Sequence, residues 1–142
     1  MKETKYLKVV GVFLIIFGAL SILGTVMTLL APIPDEVLKQ IGATAFNIRS
    51  QAAFGLITGA IQVYLGFKVF NRKPKFWLYT IIFIGVTYVL NILISLLFFQ
   101  GMQIFTAKSL IISLIIPGIT ALLLYLGRNE HSQAKTDKND AI

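Results

Sequence analysis

The chain has 142 residues, of which 56% are hydrophobic and 13% are charged, and its formal net charge is +7. This composition is more apolar and less charged than that of a soluble domain, and the lack of cysteine excludes disulfides and thiolate chemistry. The basic residues stand at the ends of apolar segments. That placement favours a membrane protein whose cations face anionic lipid of the inner leaflet, and it argues against nucleic-acid binding.

Four apolar segments contain no Asp, Glu, Lys, Arg or His, and each is long enough to cross a bilayer. They are Val9–Leu30, Ser50–Phe67, Phe76–Phe99 and Ser109–Gly127, with 22, 18, 24 and 19 residues. A hydrocarbon core of about 30 Å needs roughly 20 helical residues, and backbone in lipid must bond internally. We therefore predict an all-α membrane protein with four transmembrane helices in a compact antiparallel bundle, at about 7–30, 47–70, 75–99 and 106–127.

The first apolar segment follows three lysines, as a secretory signal would, but it is longer than a signal core, and Pro32 disfavours cleavage after Ala31. We expect an uncleaved helix. Beyond Pro34, Asp35 can cap a short helix that stops at Gly42. This outer loop is either an interfacial connector or an external contact site for a partner, toxin or ligand.

Four charged residues near the outer surface form a second candidate set. They are Asp35, Glu36, Arg49 and Lys108. The two cations could receive an anionic head group, or they could extend to the membrane surface and pair with the two carboxylates. The sequence favours the second alternative, since long basic side chains commonly reach the interface in this way.

The strongest topological signal is the turn between the second and third segments, where four cations fall within eight residues. These cations, the inner basic hairpin, are Lys68, Arg72, Lys73 and Lys75. With the N-terminus inside, ten Lys and Arg residues lie on the inner side and three on the outer side, so both termini are predicted to be cytoplasmic. Residues 1–127 form one transmembrane domain, and residues 128–142 are predicted to be a disordered cytoplasmic tail.

Helices in lipid associate through small and polar residues, and each predicted helix carries one face of that kind. In the second, the face consists of Gly55, Gly59, Gln62 and Gly66 and includes a GxxxG pattern. That pattern serves either packing within the chain or homodimerisation. In the third, the face includes Thr87, Tyr88, Asn91 and Ser95.

Three polar residues from three helices fall at nearly the same depth, about 20–22 Å from the inner ends of their helices. They are Ser21, Asn91 and Ser113, and Pro117 lies one turn after Ser113. Proline lacks an N–H, so the carbonyl of Ser113 loses its helical partner. We hypothesise that the Asn91 amide bonds this carbonyl or the Ser113 hydroxyl. The level is then either a structural polar contact or a small binding cavity that opens outward.

Catalysis and proton transport need a titratable group in the membrane, and the four segments contain none except tyrosines. We expect no enzyme activity, cofactor or metal. The chain resembles small bacterial four-helix membrane proteins in composition alone. The favoured function is contact with protein or lipid, as an accessory subunit, an envelope or stress regulator, or an immunity-type protein. The alternative is a small oligomeric transporter or flippase for an uncharged or lipid-like substrate.

Overall fold

The computed structural model describes residues 5–98, 107–130 and 139, and within these residues the structure is helical with no strand. The helices are α1 (Tyr6–Leu30), α2 (Asp35–Ile41), α3 (Ala45–Phe70), α4 (Phe76–Phe98) and α5 (Ala107–Leu126), and a 3₁₀ turn (Gly127–Asn129) follows α5. All but α2 are long and apolar enough to cross a membrane, as the sequence predicts. The predicted bounds differ from these by no more than two residues, although residues 99 and 106 lie outside the described part.

Local sequence accounts for the helix ends around the loop of α2. Ala31 is extended because a proline follows it, and α1 therefore ends there. The cap of α2 is Pro34, not Asp35 as predicted, so Asp35 begins the helix and its carboxylate meets the positive end of the helix dipole. Gly42 ends α2 with a left-handed φ of 62°, as expected. The Thr44 hydroxyl accepts from Asn47 N and starts α3 earlier than predicted.

The most extensive contact in the fold joins α1 and α3, which run antiparallel along a row of small residues. We call this row the glycine seam: Gly11, Gly18 and Thr25 on α1, and Gly55, Gly59 and Gly66 on α3. A Cβ atom at Gly18 would lie 3.0 Å from the carbonyl oxygen of Gly59, and one at Gly66 would lie 3.0 Å from that of Gly11. The two backbones therefore approach too closely for larger residues at these positions.

The most buried side chains cluster at the end of the helices that carries Lys8, Lys68, Arg72 and Arg128, and we call this region the basic end. The cluster consists of Leu7, Val10, Leu14, Val69 and Leu124. Phe76 and Trp77 at the start of α4 pack against it. By contrast, only 6% of the most apolar window of α4 is buried, against 28% for α1. The interior is thus tightly packed at the basic end, while much of α4 remains uncovered.

The described residues also correct the predicted start of the C-terminal tail. Arg128 and Asn129 belong to the 3₁₀ turn, and Glu130 is only 7% exposed. The tail is therefore ordered over its first three residues, because Glu130 has buried partners at the basic end. Residues 131–138, which the sequence analysis assigns to the same tail, lie outside the described part.

Candidate functional site

The polar contact between α4 and α5 is made by Tyr88 and not by Asn91, the residue that the sequence analysis predicts. The Tyr88 hydroxyl donates to the Leu110 carbonyl at 3.1 Å and also lies 3.1 Å from Ser113 Oγ. Asn91 Nδ2 instead donates to Thr87 O in its own helix, at 3.0 Å. The hypothesis of a bond from Asn91 to Ser113 is therefore wrong. The long Tyr88 side chain contacts α5, whereas the shorter Asn91 side chain bonds a carbonyl one turn earlier in its own helix.

Tyr88 is thus the residue whose role sequence reasoning missed. The sequence places Tyr88 on the polar face of α4, three residues before Asn91. That spacing alone does not predict which group its hydroxyl bonds. A useful signal was available: a phenol within an apolar segment needs a hydrogen-bond partner, and α5 offers carbonyls and serines. The link between α4 and α5 combines this phenol with Ser113, whose hydroxyl lies 2.9 Å from Leu110 O and 3.1 Å from the phenol oxygen and can donate its single proton to either.

A cleft of about 300 Å³ opens between α4 and α5 around this link. We call it the polar cleft, and its lining consists of Tyr88, Asn91, Ile92, Ser95, Ser109, Leu110 and Ser113. Four hydroxyls and one amide therefore converge within otherwise apolar helices. The cleft can supply several hydrogen bonds to a ligand, and its described lining residues include no charged side chain.

Two further cavities continue one after the other from the polar cleft towards the basic end. The central cleft, of about 200 Å³, shares Tyr88 and Asn91 with it and is also lined by Gln62 and Pro117. The apolar groove, of about 270 Å³, lies between α1 and α5 and is lined by Val9, Val10, Phe13, Phe17, Ile116, Ile119, Thr120 and Leu123. Of the residues predicted on the face of α3, Gln62 thus faces the central cleft, while the three glycines face α1.

Ser21 shares the depth of Asn91 but not its surroundings. It lines a separate cleft of about 330 Å³ between α1 and α3, together with Thr25, Thr28 and Gln51. The structure therefore brings Asn91, Ser113 and Pro117 to adjoining cavities and places Ser21 in a separate cleft beside α3. Equal depth along a helix axis does not specify which neighbour a residue faces.

At the basic end, one carboxylate joins three parts of the chain. Glu130 accepts hydrogen bonds from Leu7 N at 3.3 and 3.4 Å, and Arg72 Nε lies 3.6 Å from its Oε2. The side chains of Arg72 and Glu130 are 14% and 9% exposed, and Arg72 Nε is buried without a hydrogen bond of its own. Arg72 also adopts a left-handed φ of 52° in the turn. We call this cluster the Glu130 clasp.

The remaining cations of the inner basic hairpin are held differently. Lys68 Nζ lies 5.2 Å from the centre of the Tyr64 ring and 5.8 Å from that of Phe76, both within cation–π range. Lys73 and Lys75 are exposed. Two of the four cations are therefore engaged within the protein, and two remain available to solvent or a lipid surface.

At the opposite end, the predicted outer residues do not come together. Asp35, Glu36, Arg49 and Lys108 are all exposed. Within the part of the chain that the structure describes, the single ion pair joins Arg72 to Glu130, so the predicted pairing of these cations with Asp35 or Glu36 is wrong.

Residues that could support catalysis or metal binding are also sparse in the described part. Residues 5–98 and 107–130 contain no group of three His, Asp or Glu side chains that could hold a metal ion. The chemistry of the clefts is accordingly that of hydroxyl and amide hydrogen bonding beside apolar surface. Comparison with known protein families, curated proteins and solved structures found no match to this chain.

Proposed function

We propose that this chain is a small, non-enzymatic, multi-pass protein of a bacterial cytoplasmic membrane that acts by binding a lipid or an apolar segment of a partner protein. Its four long helices form one antiparallel bundle in the bilayer, and both termini lie in the cytoplasm. The number of cations at the basic end supports this orientation, since cytoplasmic loops are enriched in Lys and Arg. The exposed Lys73 and Lys75 then face anionic lipid of the inner leaflet.

The observation that carries the proposal is the polar cleft. Polar side chains inside a membrane are costly unless they are bonded, and such residues commonly mark a functional site. Here Asn91 is exposed although it lies in the middle of an apolar helix. A ligand that supplies hydrogen bonds to it removes this cost. The packed basic end holds the helices, so binding in the cleft requires no opening of the core.

The topology can be tested by labelling, because the chain has no cysteine to remove. Single-cysteine variants Lys73→Cys and Lys39→Cys are treated in intact cells with a membrane-impermeant maleimide. We expect labelling at position 39 only, and labelling at position 73 after the membrane is opened. The reverse pattern would refute the orientation.

The binding function is tested by purification in mild detergent, followed by mass spectrometry of the lipids and proteins that remain bound. Ser113→Leu narrows the polar cleft, whereas Ile112→Phe enlarges a side chain on the same helix that is 57% exposed and lines none of the three cavities. We expect a bound species with the wild type and the control, and its loss with Ser113→Leu. Identical recovery from all three proteins would contradict the proposal.

A second candidate is a small oligomeric flippase or transporter for an uncharged or lipid-like substrate. It is favoured by one observation, that the polar and central clefts share Tyr88 and Asn91 and so adjoin near the middle of the helices. Proteoliposomes containing a fluorescent lipid separate the candidates. A flippase makes inner-leaflet lipid accessible to an external quencher faster than in empty vesicles, whereas a binding protein does not.

A further inference from the structure

The three adjoining cavities form a groove whose lining changes steadily in polarity. The polar cleft contributes Ser95, Ser109 and Ser113, beside Tyr88 and Asn91. The central cleft mixes polar and aromatic residues, and it shares Phe13, Phe17, Ile116 and Thr120 with the apolar groove. In the apolar groove, every lining side chain except that of Thr120 is a hydrocarbon. A groove with one polar and one apolar end matches the shape of an amphiphile.

The direction of this groove matches a lipid of the outer leaflet. Its polar end lies on the second half of α4 and the first half of α5, away from the basic end. Its apolar end is lined by the first half of α1 and the second half of α5, near the basic end. If the basic end is cytoplasmic, as the proposed function on which this inference rests requires, a lipid would place its head group towards the outside and its acyl chains towards the basic end.

We propose that this groove binds an outer-leaflet lipid whose head group is uncharged and carries hydroxyls, of the diacylglycerol or glycosyl-diacylglycerol class. Among the residues that the structure describes, none of those that line the three cavities is Asp, Glu, Lys, Arg or His. A phosphate in the groove would therefore have no cation as a partner, and an unpaired charge away from water is strongly disfavoured. A hydroxyl, by contrast, both donates and accepts, which suits a wall of serines and an amide.

Tyr88 and Asn91 could both bind such a head group. Tyr88 is fixed in position, and Asn91 has hydrogen-bonding groups that the described residues do not use. Tyr88 is held by Leu110 O, which fixes the position of the phenol beside Ser113. Asn91 donates one amide proton to Thr87 O, and its amide oxygen accepts no bond from a residue that the structure describes. The Asn91 side chain can therefore accept from one hydroxyl and donate its second proton to another, without breaking a contact within the protein.

The test uses the full-length protein in detergent with an equimolar mixture of dioleoylglycerol, monoglucosyl-diacylglycerol and dioleoyl-phosphatidylglycerol. The lipids that remain bound are quantified by mass spectrometry. We expect the uncharged lipids to exceed phosphatidylglycerol by at least about tenfold. Asn91→Leu and Ser113→Leu should each reduce this retention by about tenfold. Thr58→Val, which removes a hydroxyl bonded to carbonyls of its own helix outside the groove, should leave retention unchanged.

The other outcomes distinguish this inference from the proposed function. Preferential retention of phosphatidylglycerol that is lost in Asn91→Leu would overturn the head-group class and leave lipid binding intact. A stoichiometric protein partner that requires Asn91, without bound lipid, would overturn the inference and support the proposed function. Retention that neither Asn91→Leu nor Ser113→Leu changes would overturn both, provided that the variants melt at the temperature of the wild type.

Discussion

At the basic end the helices associate through close packing of apolar side chains, whereas at the polar cleft they associate through hydrogen bonds beside an open cavity. At the basic end, Leu7, Val10 and Val69 are at most 2% exposed, and Glu130 joins α1 to the turn after α3. Around the polar cleft, Tyr88 makes the hydrogen bond from α4 to α5, and Asn91 remains exposed. Close packing at the basic end leaves no room for a ligand, whereas a hydrogen bond beside the polar cleft joins the two helices and leaves the cleft open.

This comparison predicts that the glycine seam is the most sensitive part of the protein. A Cβ atom at Gly11 would lie 2.7 Å from the backbone N and Cα of Phe70, so α1 and α3 must separate to admit it. We expect Gly11→Ala to lower the free energy of unfolding by about 3 kcal/mol. The measurement is an unfolding titration in mixed micelles, followed by the fluorescence of Trp77, the one tryptophan in the chain.

The matched controls for this prediction are Gly85→Ala and Gly118→Ala, where an added Cβ would meet nothing within 4 Å. These variants should be neutral or slightly stabilising, because alanine has the higher helix propensity. Equal destabilisation at Gly11 and Gly118 would show that helix contact along the seam does not dominate stability.

The second prediction concerns the Glu130 clasp. Glu130→Gln leaves Arg72 without its counter-charge in a largely buried position. We expect a loss of about 2 kcal/mol, less than for a fully buried pair because both side chains keep some exposure. Glu36→Gln is the control, since that carboxylate is exposed on α2. If the double variant Glu130→Gln with Arg72→Gln were no more stable than the sum of the single variants predicts, the ion pair would carry no coupling energy.

The third prediction addresses the link at the polar cleft. Tyr88→Phe removes the hydroxyl that reaches Leu110 O and Ser113 while it keeps the ring. We expect a loss of about 1 kcal/mol, the usual range for one hydrogen bond between helices in a membrane. Thermal melting monitored by circular dichroism measures this change. If Tyr88→Phe lowered the free energy of unfolding as much as Gly11→Ala, the polar cleft would contribute as much to stability as the glycine seam, contrary to our comparison.

The smallest effect is expected for Asn91→Leu. Because Asn91 Nδ2 bonds Thr87 O within α4, its removal breaks no hydrogen bond between helices among the described residues. We expect a change within about 0.5 kcal/mol, as for other exposed substitutions, together with the loss of ligand described above. A marked loss of stability with unchanged ligand binding would assign Asn91 a structural role and remove the basis of the binding site.

The positions of the four long helices could be predicted from the sequence because the bilayer imposes both length and backbone bonding. Charge-free segments such as Phe76–Phe99 need only be counted, and the predicted bounds agree closely with the structure. Gly42 likewise ends α2 as expected, and α1 ends at its C-cap Ala31, directly before Pro32. Helix positions depend on the bilayer, and helix ends depend on residues that are neighbours in the chain. Both can therefore be predicted without knowing how the helices pack.

The tertiary structure alone decided which polar groups meet. Asn91 and Ser113 lie at similar depths, yet the side chain that crosses between their helices is that of Tyr88, because its length and the rotation of α4 bring it to α5. The sequence predicts that Glu130 belongs to a polar tail, whereas the structure buries it against Leu7, 123 residues away in the chain. Helix periodicity specifies the face and the depth of each residue. Which neighbouring helix that face contacts depends on how all the helices pack against one another.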